Sequence, residues 1–309
     1  MSFIIALVGY SALAIVSILD KFILSNEKVE PVVFVFYSTI YLLPLNIGLF
    51  FLTNFPSPAI RIISAFSALM FVLGLWTMYR SLQKSEISHV GPLIGGLIPL
   101  AVLILSRIFL NEEISVLQIV GIILLSLGSF IIAYNQDQGT DSVGAIKFAL
   151  LSVLFFSSSH VASKFVYNGV GFVSGLVLIW GFMGFIGLAL LIFVSNLRNK
   201  FLPKILNFSK YYYQLKSKNN LDNRNEVLPV AANKILGALG ILFVQYAVSI
   251  GSVTVVHALA GFQYGLLVLL VALISKFKPN LFKENYEEGE IKKEIVAVII
   301  IALGLLLLV

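Results

Sequence analysis

Residues 114–136 contain no charged side chain, and neither do residues 87–106, just ahead of the short turn that carries Arg107, Glu112 and Glu113. An uncharged apolar run of about twenty residues, coiled as an α-helix, spans the roughly 30 Å hydrocarbon core of a bilayer. Such runs recur along the whole chain, with the charges gathered into islands between them. Of 309 residues 59% are hydrophobic and 12% charged, and the mean hydropathy is +0.99, which is more apolar surface than a soluble domain can cover. Barrel strands would alternate apolar and polar residues, whereas IVGIILLSLGSFIIA (119–133) is apolar on every face. The pattern therefore predicts an all-α polytopic membrane protein.

Apolar runs of membrane-spanning length predict ten transmembrane helices near 3–20, 31–53, 60–82, 89–109, 115–134, 143–166, 172–195, 230–250, 253–275 and 291–309. The first run has no basic residue before it and no small-residue cleavage site behind it, so it is read as a retained span. The segment 196–229 is basic and interleaved with aromatics. It reads as a cytoplasmic loop whose first half is either a surface-lying amphipathic helix or solvated chain. Arg61, Arg107 and Lys164 are the only three of 21 basic residues on one side of this topology. Basic residues mark the cytoplasmic face, so both termini and the 107–114 turn are expected outside, and the long loop inside. The same rule accounts for the net charge of +6 without nucleic acid. With no cysteine, disulfides, thiolate metal sites and thiol catalysis are excluded.

The chain also reads as five helices written twice. Lys21-Phe22 and Lys164-Phe165 close the first and sixth helices, Ser106-Arg107 and Ser275-Lys276 close the fourth and ninth, and Tyr79 and Tyr246 precede the tightest connections. Because five is odd, the second copy enters the membrane upside down, as in inverted-topology repeats. The two units are set at 1–138 and 139–309.

The run from Pro99 through LAVLILSRIFLNEEIS to GIILLSLGSFIIA resembles the EamA-type repeat of the drug/metabolite transporter superfamily. That repeat has a proline in its fourth helix, a Leu-x-Glu turn about thirteen residues on, and a glycine-punctuated fifth helix. Pro99, Leu110-Asn111-Glu112, Gly121 and Gly128 fill those positions. The second copy departs from the pattern, with no proline between Val253 and Lys278 and with FKPNLFKENYEEGE in place of the short acidic turn. The resemblance implies two inverted five-helix repeats and transport activity.

Polar groups in lipid are costly and so point to function. Near mid-membrane depth the predicted spans hold no Asp, Glu, Lys or Arg, which removes the carboxylate-based proton exchange used by small multidrug exporters. What remains is Trp76 and Tyr79, the run Ser157-Ser158-Ser159-His160, Trp180, Gln245 and Tyr246, and Gln263 and Tyr264. Aromatic faces and amides suit a neutral or weakly charged organic solute. Each has a structural alternative: interfacial anchoring for Trp76, Tyr79, Trp180 and Tyr246, helix packing for the serines, and an interhelical hydrogen bond for His160. Gln263 and Tyr264 must face protein or a cavity, because an unpaired amide in lipid costs several kcal/mol on the order of hydrocarbon transfer values. His89 and His257, at the starts of spans 4 and 9, read as interfacial. Pro99 leaves the Gly95 carbonyl without its usual donor and, with Gly96, loosens span 4 at the depth where transporters bind solute, or else only aids packing.

The expected substrate-binding set is Trp76, Tyr79, Pro99, His160, Gln245, Tyr246, Gln263 and Tyr264, with Trp76 and Gln245 flanking from the two repeats. The expectation is a secondary-active transporter, exporter or exchanger, of a small organic metabolite, working by alternating access in the plasma membrane. No GxxxxGK[ST] motif is present, so ATP is not the direct energy source, and HExxH, GxSG or paired intramembrane Asp, the marks of an intramembrane enzyme, are missing too. No cofactor, metal or catalytic residue is expected. The partners are a small solute and the bilayer, with a homodimer left open. A lipid flippase and a non-transporting scaffold or receptor are the rival readings.

Overall fold

A computed structural model describes residues 1–24, 30–51, 56–84, 87–133, 142–199, 224–277 and 288–308. Most of the basic loop expected at 196–229 lies outside this set. The described residues are helical nearly throughout and include no strand. They form α1 (Ser2–Leu24), α2 (Pro31–Ile40) continued by a 3-10 segment (Leu43–Phe51), α3 (Pro58–Leu82), α4 (Ile87–Phe109), α5 (Val116–Ala133), α6 (Ser142–Val170) and α7 (Phe172–Phe193). They continue with α8 (Arg224–Ile250), α9 (Val253–Ala258), α10 (Ala260–Phe277) and α11 (Glu288–Leu308).

Local chemistry sets the ends. Ser57 caps α3 ahead of Pro58 at its first position, and Ser252 caps α9 through Val255 N–H at 3.0 Å. Ser115 and Gln118 bond each other's backbone N–H, both at 3.2 Å, which is a reciprocal capping box at the head of α5. The turn before it closes through Asn111, at φ 51° the one non-glycine residue with positive φ among the described residues, and asparagine tolerates that left-handed conformation better than most residues. Leu110 and Glu112 N–H both reach back to the Ser106 carbonyl, so the Leu-Asn-Glu sequence terminates α4.

Eight described segments are long and apolar enough to cross a membrane, where the sequence suggested ten spans. In α8 the apolar stretch is only Ile235–Ile250, behind Arg224, Glu226 and Lys234. In α11 the first turns carry Glu288, Glu290, Lys292, Lys293 and Glu294. The second span is bent: Pro44 cannot donate, α2 stops at Ile40, and the chain tightens into 3-10 form. Gly184 and Gly187 of α7 let that bend approach closely, since a Cβ on either would run into the Leu43 or Ile40 backbone.

Contacts between helix ends fix alternating directions. At the Met1 end Ser2 meets Gly251, Ile60 meets Gly169, and Leu308 meets Gly121. At the other end Asn196 donates to Glu30 at 2.7 Å, Phe34 meets Tyr79 at a tilt with centroids 4.2 Å apart, and Ser81 donates to the Ala145 carbonyl at 2.7 Å. The most extensive pairings are α3 with α6, α5 with α11, and α1 with α8.

Burial is inverted relative to a soluble protein. Ser67, Ser81, Ser152, Ser157 and Thr254 are fully buried, while Ile62, Ile104, Ile108, Phe193 and Leu306 are more than half exposed. Only a hydrocarbon solvent makes that arrangement favourable. The protein is an integral, multi-pass membrane protein.

Candidate substrate pathway

Among the described residues, two seams in the bundle bring intramembrane polar groups together. Between α3 and α6 the groups are serines, each paired at short range. Ser67 Oγ lies 2.8 Å from Ser163 Oγ and donates to the Ser159 carbonyl at 3.0 Å, and Ser159 returns a bond to the Ser67 carbonyl at 2.9 Å. About two turns further along, Ser152 donates to the Gly74 carbonyl at 3.0 Å. Small side chains let the helices approach, and the hydroxyls bond across the gap they leave. In the serine run, Ser159 joins this zipper, Ser157 reaches the Ile98 carbonyl at 3.4 Å, and Ser158 bonds back to Leu154 in its own helix.

The second seam runs between α4, α9–α10, α1 and the adjoining face of α6. His160 lies between Phe156 of its own helix (centroids 6.2 Å apart, 13° between planes) and His257 of α9 (3.8 Å, 27°), with Phe71 of α3 at its edge. Tyr10 of α1 reaches His257 Nδ1 at 3.5 Å. His257 Nε2 is buried and has no hydrogen-bond partner in the protein. His257, expected at a membrane interface, is only 5% exposed and belongs to the interior. The reason is tertiary: α9 enters between α1, α4, α5 and α6, so one turn below Ser252 is already inside the bundle. The side chain of His89, the other histidine read as interfacial, lies outside the described residues.

Deeper along this seam Gln263 donates to Ser17 Oγ of α1 at 3.5 Å, the limit of a hydrogen bond. Its neighbour Tyr264 packs against the glycine face of α4: a Cβ on Gly95 would collide with the tyrosine ring, and one on Gly91 would touch it at 3.9 Å. Tyr264 therefore sits beside the segment that Pro99 was expected to loosen. Both Pro92 and Pro99 are buried, and α4 runs continuously through them. The interruption falls instead on the facing span, at Leu259 between α9 and α10, with no proline there. Gly261 against the Leu125 carbonyl lets the restarted helix pack closely on α5.

The other predicted residues have partners elsewhere. Trp76 meets Phe148 edge-on at 6.4 Å and carries the Arg80 guanidinium 5.5 Å above its ring, toward the end opposite Met1. Tyr79 meets Phe34 at a tilt there. Toward the Met1 end, buried Gln245 accepts from Tyr167 at 3.0 Å, and the more exposed Tyr246 packs edge-on to Phe172 at 5.1 Å. His160, Gln263 and Tyr264 thus share one seam, while Trp76, Tyr79, Gln245 and Tyr246 do not join it. Tyr10 and His257 were missed. Tyr10 was hidden as a single hydroxyl in an apolar run, and His257 by its nearness to the start of its predicted span.

Above the seam, at the Met1 end, lies a polar clasp. Ser106 Oγ and Thr254 Oγ1 are 2.8 Å apart, Thr254 donates onward to Glu112 Oε2 at 2.7 Å, and Lys164 Nζ donates to the Ser249 carbonyl at 3.0 Å. Glu112, read from the sequence as a turn charge and as the acidic residue of the Leu-x-Glu turn, joins the α4–α5 turn to the head of α9.

These features define a polytopic membrane protein. Residues 1–134 match the model of the EamA-like transporter family. No curated protein matches the chain. A solved crystal structure matches at 14% identity, covering 99% of this chain and 94% of the other with a TM-score of 0.62, which establishes a shared fold alone.

Proposed function

We propose that the chain is a secondary-active transporter, an exporter or exchanger, that moves a small organic metabolite across the plasma membrane by alternating access between inverted repeats at 1–138 and 139–309. The helix pairing supports the repeat. Exchanging each helix of one repeat for its counterpart turns the α3–α6 pair into α8–α1. Gly9 meets Gly240 across α1 and α8 as Ser152 meets Gly74 across α6 and α3. Between α5 and α11, a register that sets Gly121 on Ala297 and Gly128 on Gly304 interchanges the two observed contacts, Gly121 with Gly304 and Gly128 with Ala297.

The observation that carries the solute site is the seam itself. Tyr10, His160, His257, Gln263 and Tyr264 converge from α1, α6, α9 and α10, with hydrogen bonds at the limit of length and one ring nitrogen unpartnered. Groups this weakly engaged can exchange their partners for those of a solute at little cost, and their aromatic faces can stack on it. Trp76, Tyr79, Gln245 and Tyr246 line the approaches from the two ends, and Pro99 with Gly95 provides the glycine-faced wall.

A thermal-shift screen of the purified protein against a metabolite library tests this, because a ligand held by the folded state raises its melting temperature. A hit that also exchanges across proteoliposome membranes supports the reading, whereas a hit that binds without crossing favours a receptor. Orientation has its own test in this cysteine-free chain. An impermeant thiol reagent on intact cells should label a cysteine at Asn111 and spare one at Gln83, and the reverse result would invert the topology.

A further inference from the structure

We propose that the stacked His160–His257 pair is a proton-binding site, and that protonation drives α9 away from α6 and so releases the clasp at the Met1 end. The inference rests on the transporter reading and adds the coupling ion to it. The rings face each other at 3.8 Å, a spacing that two imidazolium ions cannot share without strong repulsion, so the packed arrangement accommodates at most one proton.

Titratable and charged neighbours do little to offset a second positive charge. Tyr10 comes from α1 and Tyr264 from α10, α3 presents Phe71, and on α6 Lys164 follows one turn after His160. The carboxylate of Glu112, on the α4–α5 turn, is engaged by Thr254 one turn above His257. Arg61 and Arg107 stand at the same end on α3 and α4. Relief must therefore come from movement, and α9 is built to move. It is a six-residue helix that ends at the Leu259 interruption, and its head holds the clasp through Thr254. His257 and Thr254 lie on one face of that helix, so displacing the ring displaces the clasp. The unpartnered Nε2 of His257 offers a free ring nitrogen for the exchange.

The experiment uses full-length protein in nanodiscs, where both membrane faces are reachable. A cysteine replaces Val102, which is fully buried on α4 one turn below Ser106, and a cysteine at exposed Asn111 serves as the reference. Labelling by an impermeant thiol reagent is measured from about pH 8 to about pH 5 and expressed as the ratio of Val102 to Asn111, which cancels thiolate ionisation. The ratio should rise at least about fivefold on acidification, a modest population shift. It should stay flat in His160→Phe and His257→Phe, which keep the ring and remove the nitrogens.

A Val102 site that labels independently of pH overturns the proton site and leaves the transporter reading standing. A pH response that survives in both variants also overturns it. A Val102 site that never labels at any pH, while Asn111 does, contradicts alternating access itself. Should the phenylalanine variants fail to fold, histidine-labelled NMR of the unmodified chain, which has three histidines, gives the second readout. Two resonances titrating in linked steps support the pair, and independent titration of all three rejects it.

Discussion

The α3–α6 seam and the seam between α4, α9–α10, α1 and α6 are both lined with polar groups inside the membrane, yet they are built in opposite ways. In the first, short serine side chains bond to backbone carbonyls and to each other at 2.8–3.0 Å across continuous helices. In the second, larger rings and amides meet at 3.5 Å, a ring nitrogen stays unpartnered, and one helix is interrupted. Satisfied small groups fasten helices, whereas loosely satisfied large groups leave a surface able to take another partner. On the proposed reading the first seam is scaffold and the second handles solute.

The strongest way to break that division is to overfill the scaffold. Ser67→Leu would force α3 from α6 and orphan partners at Ser159 and Ser163. It should cost about 3 to 5 kcal/mol and lower the melting temperature by roughly 5 °C or more. Near-normal melting would show that the serine seam is not what holds the bundle. Ser159→Ala is gentler. It removes the bond to the Ser67 carbonyl and should destabilise by about 1 to 2 kcal/mol in a denaturation series, with transport unaffected in the folded fraction. Ser17→Ala makes the same chemical change in the other seam, where the bond from Gln263 is already at its limit, so less than about 0.5 kcal/mol is expected. A Ser17→Ala loss equal to that of Ser159→Ala would erase the distinction between the seams.

How much of this could be read in advance follows from what each residue's role depends on. The helical class, the alternating directions and the turn at Leu110-Asn111-Glu112 follow from hydrophobic run length, charge islands and local capping, all of which are local in sequence. His160, Gln263 and Tyr264 stood out because polar groups are expensive at their depth. His257 and Tyr10 did not, because their burial depends on how α9 and α1 pack. The same limit explains the helix break. Pro99 was the visible candidate, but α4 passes through both its prolines, while Leu259 gives no local signal. The bend after Ile40 did have its cue in Pro44, overlooked inside an apolar run of spanning length.

The account stands or falls on whether the second seam handles solute. Gln263→Leu keeps the side chain's bulk and removes its hydrogen bonding. Melting temperature and solute exchange should be measured on the same proteoliposome preparations, using a solute identified by the thermal-shift screen. The account predicts an unchanged melting temperature, with binding weaker by about 1 to 3 kcal/mol and exchange at low solute concentration reduced in proportion. A variant that melts lower yet exchanges normally would make Gln263 a packing residue and contradict the assignment.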